Sequence, residues 1–229
     1  MNQQQYLASA ATEAARHQMI AQQLRTWEVL DSRVLDALQA VKRERFVPEA
    51  YRHVAFADAQ IPLGHGQCML QPKMDGKILQ ALAIQPSDQV LDVGAGSGFL
   101  AACMGKLGAN IRSVELFSDL VELAKANVHA AAVNNVVVEL ADATLLADED
   151  RYDAIAVTAA IPPGNEALEQ RFARALKVGG RLFLVVGATP TMEAVKITRT
   201  TQSHWHREEL FETVLEPLVN AVRPSTFVF

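Results

Sequence analysis

Short apolar runs alternate with amphipathic segments over residues 90–186, and this pattern predicts a parallel α/β sheet. Apolar runs of strand length occupy residues 90–93, 110–114, 136–140, 152–158 and 181–186. Segments with apolar residues at helical spacing lie between them, at residues 99–107, 118–132 and 166–176. Strands that alternate with helices form a doubly wound sheet with right-handed crossovers. We therefore predict an α/β fold with a doubly wound, mostly parallel sheet.

The two ends of the chain follow other patterns. Residues 1–26 predict a helix, and Asp31 can cap a second one. Near the C-terminus, Val195 and Ile197 alternate with polar residues, as do residues 210–215, which predicts antiparallel strands. We expect three parts: N-terminal helices and a loop packed on the core (1–75), an α/β core (76–221) and an apolar tail (222–229).

Charge and composition exclude several classes of function. The net charge of −5 provides no basic surface for nucleic acid. No apolar run approaches the roughly 18 residues of a membrane span, and the N-terminus lacks the pattern of a secretory signal. The two cysteines, Cys68 and Cys103, are too few for a disulfide framework or a zinc site. We expect a cytoplasmic protein with reduced thiols and no metal, nucleic-acid or membrane partner.

A glycine-rich turn, Gly94-Ala95-Gly96-Ser97-Gly98, joins the first core strand to a helix. Glycine permits a sharp turn and close approach of a ligand, and the helix that follows presents unpaired N–H groups. Such a turn suits a nucleoside cofactor at the carboxyl edge of a parallel sheet. Its G-x-G-x-G spacing differs from the dinucleotide fingerprint G-x-G-x-x-G, which argues against NAD or FAD.

Two acidic residues flank the glycine turn. Asp92 precedes it, where a carboxylate would repel a pyrophosphate but can bind a cationic amino acid. Glu115 ends the next strand about 20 residues later, where an acid binds both ribose hydroxyls. Acid, glycines and acid form the pattern of an S-adenosylmethionine (SAM) site; the alternative is a tight turn with two solvated carboxylates. Asp142 can meet an adenine amino group or serve as a turn residue.

A long segment at residues 58–72 carries the most specific residue types. It contains two prolines and two glycines, which predicts a loop of the kind that binds ligands. We interpret His65 in this loop as a hydrogen-bonded structural group rather than a catalytic one. Pro72 can begin a helix that turns apolar residues inward, namely Met74, Ile78, Leu79 and Leu82.

Separated motifs of the chain coincide with those of one family. They lie at residues 43–48, 58–67, 90–99, 114–115, 152–155, 157–160, 179–182 and 214–218. On these motifs the chain resembles the protein-L-isoaspartate (D-aspartate) O-methyltransferases over nearly its whole length. The segment Ile61-Pro62-Leu63-Gly64-His65-Gly66-Gln67 is more specific than the glycine turn, and residues 214–218 resemble the family's closing strand.

The resemblance implies a class I SAM-dependent methyltransferase that repairs proteins by methylating the carboxylate of isoaspartyl residues. Such a carboxylate, with a pKa near 4, is ionised at neutral pH and needs no general base. The protein would align the reacting atoms and exclude water. Isoaspartyl peptides or proteins are the implied partners, and we expect a monomer or weak homodimer.

The resemblance also assigns residues to the site. Glu115 would bind the ribose and Asp142 would lie near the adenine. The implied cofactor-binding residues are Asp92, Gly94, Ala95, Gly96, Ser97, Gly98, Glu115, Leu116, Asp142, Ala143 and Thr158. The implied substrate-binding residues are Ile61, Gln67, Cys68, Met69, Leu70 and Val214. No residue is assigned a catalytic role or a metal.

Two segments depart from the family pattern. The family usually reads Gly-Gln-Thr-Ile-Ser before its proline, whereas this chain reads Gly66-Gln67-Cys68-Met69-Leu70. Leu70 thus occupies the position of the active-site serine and cannot donate a hydrogen bond, and Cys68 is a weak donor. Ala141-Asp142-Ala143 replaces Gly-Asp-Gly. Three hypotheses stay open: isoaspartyl repair with a divergent acceptor loop, methylation of a different acceptor on the same fold, and a SAM-binding module without catalysis.

Overall fold

The computed structural model of the protein describes residues 3–222, with only the helical backbone for residues 3–9. The predicted apolar tail therefore lies outside the described residues, except for Val222. The N-terminal region is helical, as predicted. It contains α1 (Gln3–Met19), a π-helical turn (Ile20–Leu24), a 3₁₀ turn (Arg25–Trp27), α2 (Ser32–Ala40) and two further 3₁₀ turns (Arg43–Arg45 and Glu49–Val54). Asp31 caps α2 by accepting a hydrogen bond from the backbone N–H of Arg33 at 2.9 Å.

The segment predicted as a loop is instead a short β-hairpin. Its antiparallel strands are β1 (Ile61–Gly64) and β2 (Gln67–Met69). His65 and Gly66, with φ of 54° and 70°, form the two-residue turn between them. Positive φ at both central residues matches the right-handed twist of a hairpin, which explains how a proline- and glycine-rich segment becomes sheet.

The central sheet has seven strands in the order β5-β4-β3-β6-β7-β8-β9. The first five in this order are parallel, and the last two are antiparallel, which confirms the predicted fold class. The strands are β3 (Gln89–Val93), β4 (Asn110–Glu115), β5 (Val136–Leu140), β6 (Tyr152–Ile161), β7 (Leu176–Ala188), β8 (Thr191–Thr201) and β9 (His204–Thr213). The helices that accompany them are α3 (Pro72–Leu82), α4 (Phe99–Lys106), α5 (Ser118–Ala130) and α6 (Glu166–Ala175).

The strand order places a crevice at the end of β3. The chain passes from β3 outward to β4 and β5, then returns to β6 on the other side of β3. Such a topological switch point, at the carboxyl ends of parallel strands, is where open α/β sheets bind their ligands. The glycine turn follows β3 directly and therefore lies at this crevice.

The N-terminal helices and the sheet share one hydrophobic core. Met19, Leu38 and Phe46 belong to the same buried cluster as Phe99 and Phe183. The boundary expected between residues 75 and 76 falls inside α3. The N-terminal segment therefore packs on the core without a structural break at that position.

The segment after β9 differs from the closing strand that the family resemblance suggests. It meets the sheet at one bridge, where the N–H of Ala160 donates to the carbonyl of Glu216 and the N–H of Leu218 donates to the carbonyl of Ala160, both at 2.8 Å. Pro217 lies between these two contacts and has no N–H to extend a ladder. The segment is thus fastened to β6 at a single point. In the described part of the chain, no helix has the length and apolar character needed to cross a membrane.

One buried arginine ties the N-terminal region to the crevice. The Arg43 guanidinium donates to the carbonyl of Ala55 at 2.9 Å, to the carbonyl of Leu70 at 2.5 Å and to the carboxylate of Asp75 at 2.7 Å. It also lies 5.0 Å from the centre of the Phe99 ring. Arg43 is 0% exposed, so these buried carbonyl and carboxylate groups depend on its hydrogen bonds to offset their loss of contact with water.

We expect Arg43→Met to lower the free energy of unfolding by about 3–5 kcal/mol, because it leaves a buried carboxylate and two carbonyls without their donor. Urea denaturation measures the loss. The control is Lys125→Met, which removes an exposed ion pair with Glu122 and should change stability by less than about 1 kcal/mol. Similar unfolding midpoints for the two variants would contradict this assignment.

Candidate active site

The glycine turn is held open by its neighbours. The N–H groups of Gly94 and Ala95 donate to the carbonyl of Val114 at 2.9 and 3.2 Å, and the Thr158 hydroxyl donates to the carbonyl of Val93 at 2.8 Å. Gly94 has a φ of +94°, and a Cβ at this position would lie 2.5 Å from Thr158 Oγ1. Only glycine fits between β3 and Thr158, so the backbone of the turn stays exposed to a ligand.

Two cavities meet at this turn. The strand-end cavity is lined by Gln67, Cys68, Val93, Gly94, Gly96, Val114–Phe117, Ala141–Ala143, Thr158, Ala159, Leu218 and Val219. The hairpin cavity is lined by Cys68–Leu70, Asp75, Gly94–Ser97, Phe99, Leu100 and Thr158. Four residues belong to both, namely Cys68, Gly94, Gly96 and Thr158. The cavities are therefore two ends of one cleft that crosses the turn.

Glu115 forms a wall of the strand-end cavity. One carboxylate oxygen accepts from the N–H of Gly96 at 3.0 Å, and the other accepts from the N–H groups of Leu116 and Phe117 at 2.7 and 3.1 Å. These bonds fix the carboxylate: Oε1 accepts two of them and is saturated, whereas Oε2 accepts one and keeps a further lone pair. A fixed carboxylate with a free acceptor site is suited to accept a hydrogen bond from a ligand hydroxyl.

Asp142 lies at the opposite wall of the same cavity. Its carboxylate accepts from the backbone N–H and hydroxyl of Thr144 at 2.9 and 2.6 Å, and from the Asn220 amide at 2.9 Å. Partial burial acts to raise its pKa, but these hydrogen bonds hold the pKa below its usual value. Asp142 is thus an ionised acceptor, and it also performs the turn role that its sequence position allowed.

Asp92 is buried beneath the turn and is only 1% exposed. The Ser113 hydroxyl donates to Oδ2 at 2.6 Å, whereas Oδ1 has no hydrogen-bond partner within the described part of the chain. Burial raises the pKa of Asp92 to about 7, with Ser113 acting in the opposite direction and Glu115 and Asp75 adding to the increase. An unpaired buried carboxylate oxygen is costly without a ligand, so this position fits a cationic group.

The predicted substrate-binding residues separate into three groups. Gln67 lines the strand-end cavity, and Cys68, Met69 and Leu70 line the hairpin cavity. Ile61 is 1% exposed and packs in the core beneath the hairpin. Val214 is 47% exposed and lines a separate groove with Trp27, Gln60, Gln71 and Lys73. The structure therefore brings the β2 residues to the cleft and leaves the other two outside it.

His65 has a structural role, as interpreted from the sequence. Its ring stacks on Phe117 with centroids 4.1 Å apart, and its Nε2 lies 2.9 Å from a carboxylate oxygen of Asp119. These contacts join the hairpin turn to the start of α5. Among the described residues, no group of three or more His, Cys, Asp or Glu side chains is arranged to hold a metal ion.

Sequence reasoning missed several residues of the cleft. Asp75 lines the hairpin cavity, Leu218 and Val219 line the strand-end cavity, and Asn220 donates to Asp142. A signal for Asp75 was present, since it shares the inward face of α3 with Ile78, Leu79 and Leu82 at helical spacing. A carboxylate on an apolar helix face needs a partner. The C-terminal residues carried no local signal.

Comparisons with known proteins identify the family of the chain. Residues 14–223 match the family model described as protein-L-isoaspartate(D-aspartate) O-methyltransferase. A protein-L-isoaspartate O-methyltransferase of Rhodopseudomonas palustris is 37% identical over 205 residues, covering 89% of this chain and 92% of the relative. One from Koribacter versatilis is 35% identical, covering 89% and 90%. A Plasmodium falciparum crystal structure, described as a protein of this family in complex with S-adenosyl-L-homocysteine, superposes with a TM-score of 0.76 at 21% identity, covering 89% of this chain and 98% of the other.

We expect Asp92→Ala to abolish measurable SAM binding, because it removes the buried carboxylate beneath the glycine turn. Calorimetric titration of the folded variant with SAM measures the effect. Asp153→Ala is the matched control, since Asp153 accepts from the N–H of Gln89 and pairs with Lys177 where β3 and β6 begin. Unchanged SAM affinity in Asp92→Ala would refute the assignment of this turn to the cofactor.

Proposed function

The chain belongs to the protein-L-isoaspartate(D-aspartate) O-methyltransferase family, and on this basis we infer that it methylates the carboxylate of isoaspartyl residues in damaged proteins, with SAM as methyl donor. One observation of the structure carries the inference most directly. Cys68 of the hairpin lies in both cavities of the cleft, so the proposed acceptor segment meets the cofactor turn at a shared wall. An acceptor held by the hairpin would thus face a methyl donor held by the turn.

Two carboxylates in the strand-end cavity divide the recognition of the adenosine part of the cofactor. In this proposal Glu115 accepts from the ribose hydroxyls and Asp142 accepts from the adenine amino group. Leu116 and Ala143 provide apolar walls beside these acids, and Thr158 keeps the turn open. The geometry that supports these roles is the placement of both carboxylates at the ends of adjacent strands β4 and β5.

The residues of the cleft supply alignment rather than proton transfer. When bound, SAM supplies an activated methyl group, which passes from sulfur to a carboxylate oxygen and leaves S-adenosyl-L-homocysteine. The acceptor carboxylate is ionised at neutral pH, so the cleft needs no general base. Holding the two reactants in line can contribute about 7–11 kcal/mol to lowering the barrier.

The hairpin also protects the methyl donor. Met69 and Leu70 are buried and apolar, so they exclude water from this end of the cleft. Burial raises the pKa of the Cys68 thiol, and the nearby carboxylate of Glu216 adds to the increase. The thiol therefore stays protonated at neutral pH, and a neutral thiol is a poor competitor for the methyl group.

The acceptor end lacks the hydroxyl that the family resemblance leads one to expect. The side chain of Leu70 has no hydrogen-bond donor, and its backbone carbonyl already accepts from Arg43. The acceptor carboxylate would then receive fewer hydrogen bonds than a serine and a threonine could supply. This difference predicts activity that improves when donors are restored.

The cellular setting is a finer part of the proposal. We propose a cytoplasmic enzyme that works as a monomer or weak homodimer. Its support is the pair of unbridged cysteines, Cys68 and Cys103, which suits a reducing compartment.

The first expected outcome is selective methylation of an isoaspartyl peptide. Incubation with methyl-labelled SAM should label a short isoaspartyl peptide and leave its aspartyl isomer unlabelled. Mild base should release the label as methanol, because the product is an ester. If the protein binds SAM normally but does not label the isoaspartyl peptide, its acceptor is a different molecule.

A second outcome concerns the missing donors. We expect Leu70→Ser combined with Cys68→Thr to raise kcat/KM for the isoaspartyl peptide by about tenfold or more, because even one hydrogen bond to a charged group contributes about 1.5–3 kcal/mol. Leu70→Ala with Cys68→Ala is the control, since it creates space without adding a hydroxyl. An equal effect of both double variants would mean that space, not hydrogen bonding, limits the acceptor end.

A further inference from the structure

Asp75 is a carboxylate in a place where an apolar residue would be expected. It lies on the inward face of α3 and is 2% exposed, yet it lines the hairpin cavity beside the glycine turn. Arg43 holds one of its oxygens at 2.7 Å and also holds the carbonyl of Leu70, on the same cavity wall. Asp75 is therefore oriented by a rigid partner and borders the cleft where the turn and the hairpin meet.

The buried charges around this end of the cleft do not balance. Asp75 of α3 lines the hairpin cavity, Asp92 of β3 lies beneath the glycine turn, and Glu115 of β4 lines the strand-end cavity; all three are buried. Arg43 is the one buried cation that pairs with them in the described residues. Oδ1 of Asp92 also lacks any donor among the residues that the structure describes. A cationic ligand would stabilise this excess of buried carboxylates. The unpaired carboxylate oxygen marks a position where the ligand can donate a hydrogen bond.

The two ends of the cleft offer different chemistry to a SAM molecule. The strand-end cavity contains Glu115 and Asp142, which suit the hydroxyls and amino group of an adenosine. The hairpin cavity, across the shared glycine turn, has Asp75 as its acidic residue. The part of SAM that remains for this end is the amino acid, which carries an ammonium group.

We propose that Asp75, oriented by Arg43, is a cofactor-binding residue that together with Asp92 receives the α-ammonium group of SAM. The proposal rests on the proposed function, because it assigns a further residue to the same site. It gives the Arg43 interaction a role beyond stability, since the guanidinium directs the carboxylate at the cofactor while it holds the hairpin at Leu70. It also accounts for an acid on the apolar face of α3.

The test compares three ligands that differ in charge. SAM carries an ammonium, a sulfonium and a carboxylate group, S-adenosyl-L-homocysteine carries the ammonium and the carboxylate, and 5′-methylthioadenosine carries none of the three. We expect Asp75→Asn, which preserves shape, to weaken SAM and S-adenosyl-L-homocysteine by about tenfold or more, as expected for loss of a charged hydrogen bond. The affinity for 5′-methylthioadenosine should not change. Isothermal titration calorimetry measures all three without any methyl transfer.

A matched control is available in Asp88→Asn. Asp88 is buried and accepts from Arg181 at 2.7 Å and from the N–H of Gln85 at 2.9 Å, outside both cavities. This variant loses a comparable buried charge, so it reports the effect of reduced stability alone. We expect it to bind all three ligands like the wild type.

Proton release provides an independent readout. Burial raises the pKa of Asp75 to about 7 against the effect of Arg43, and the pKa of Asp92 is raised to the same region. The other charged or titratable groups around them are Glu115 and the buried thiol of Cys103. A cation favours ionised carboxylates, so the complex holds fewer protons than the free protein. SAM affinity should therefore rise as pH increases through about 7. The Asp75→Asn variant should release fewer protons than the wild type when it binds SAM.

Each other outcome overturns the proposal. Equal weakening of all three ligands by Asp75→Asn would indicate a structural role. Weakening of SAM alone would place the sulfonium, not the ammonium, beside Asp75. No change would remove Asp75 from the site. Wild-type protein that fails to bind SAM would overturn this proposal and the proposed function together, whereas normal binding without methylation of the isoaspartyl peptide would overturn only the function.

Discussion

The buried guanidinium of Arg43 is the interaction on which the arrangement of this protein depends. It comes from the N-terminal region and contacts a carbonyl of its own region, a carbonyl of the hairpin and a carboxylate of α3. An arginine can do this because its donors point in fixed directions from a plane. Arg43 thereby holds three segments in fixed positions relative to one another: the N-terminal region, the end of the hairpin and α3. The cleft forms where these segments meet the parallel sheet.

The core contributes the second constraint, which is topological. Strands β4 and β6 lie on opposite sides of β3, so the turn after β3 has open space on the carboxyl side of the sheet. Thr158 within β6 and Glu115 at the end of β4 then contact the turn from its two sides. The glycine turn is therefore a consequence of strand order as much as of its own residues.

The distribution of charged side chains distinguishes the cofactor side of the cleft from the acceptor side. SAM is a cation at its amino-acid end, whereas the acceptor is a carboxylate, so one cleft must accommodate opposite charges close together. The carboxylates of the cleft, Asp75 among them, lie beneath and beside the glycine turn, while the residues of β2 and the residue after it that line the hairpin cavity are uncharged, namely Cys68, Met69 and Leu70. This uncharged stretch does not repel an incoming carboxylate. The absence of a hydroxyl at Leu70 fits this arrangement but reduces the hydrogen bonding offered to the substrate.

The sequence by itself determined the class of fold, the cofactor turn and the family. Alternating apolar runs and helical segments depend on short-range periodicity, and motifs such as Gly94–Gly98 depend on local backbone freedom, so both are readable along the chain. Glu115 and Asp142 were predicted from sequence as cofactor-binding residues, and both line the strand-end cavity, because the ends of parallel strands gather at one edge. The segment at 58–72 was predicted as a loop because the turn at His65-Gly66 was not recognised as a hairpin turn.

Only the tertiary structure decided which side chains become partners. Asp75 pairs with Arg43 across 32 residues, and Asn220 reaches Asp142 across 78 residues. No local pattern specifies such contacts, because they follow from how helices and segments pack on the sheet. Burial likewise follows from packing, and it decides that Ile61 supports the hairpin from the core while Asp75 borders the cleft. Periodicity indicates which face of an element turns inward, but the assembled fold determines what that face meets.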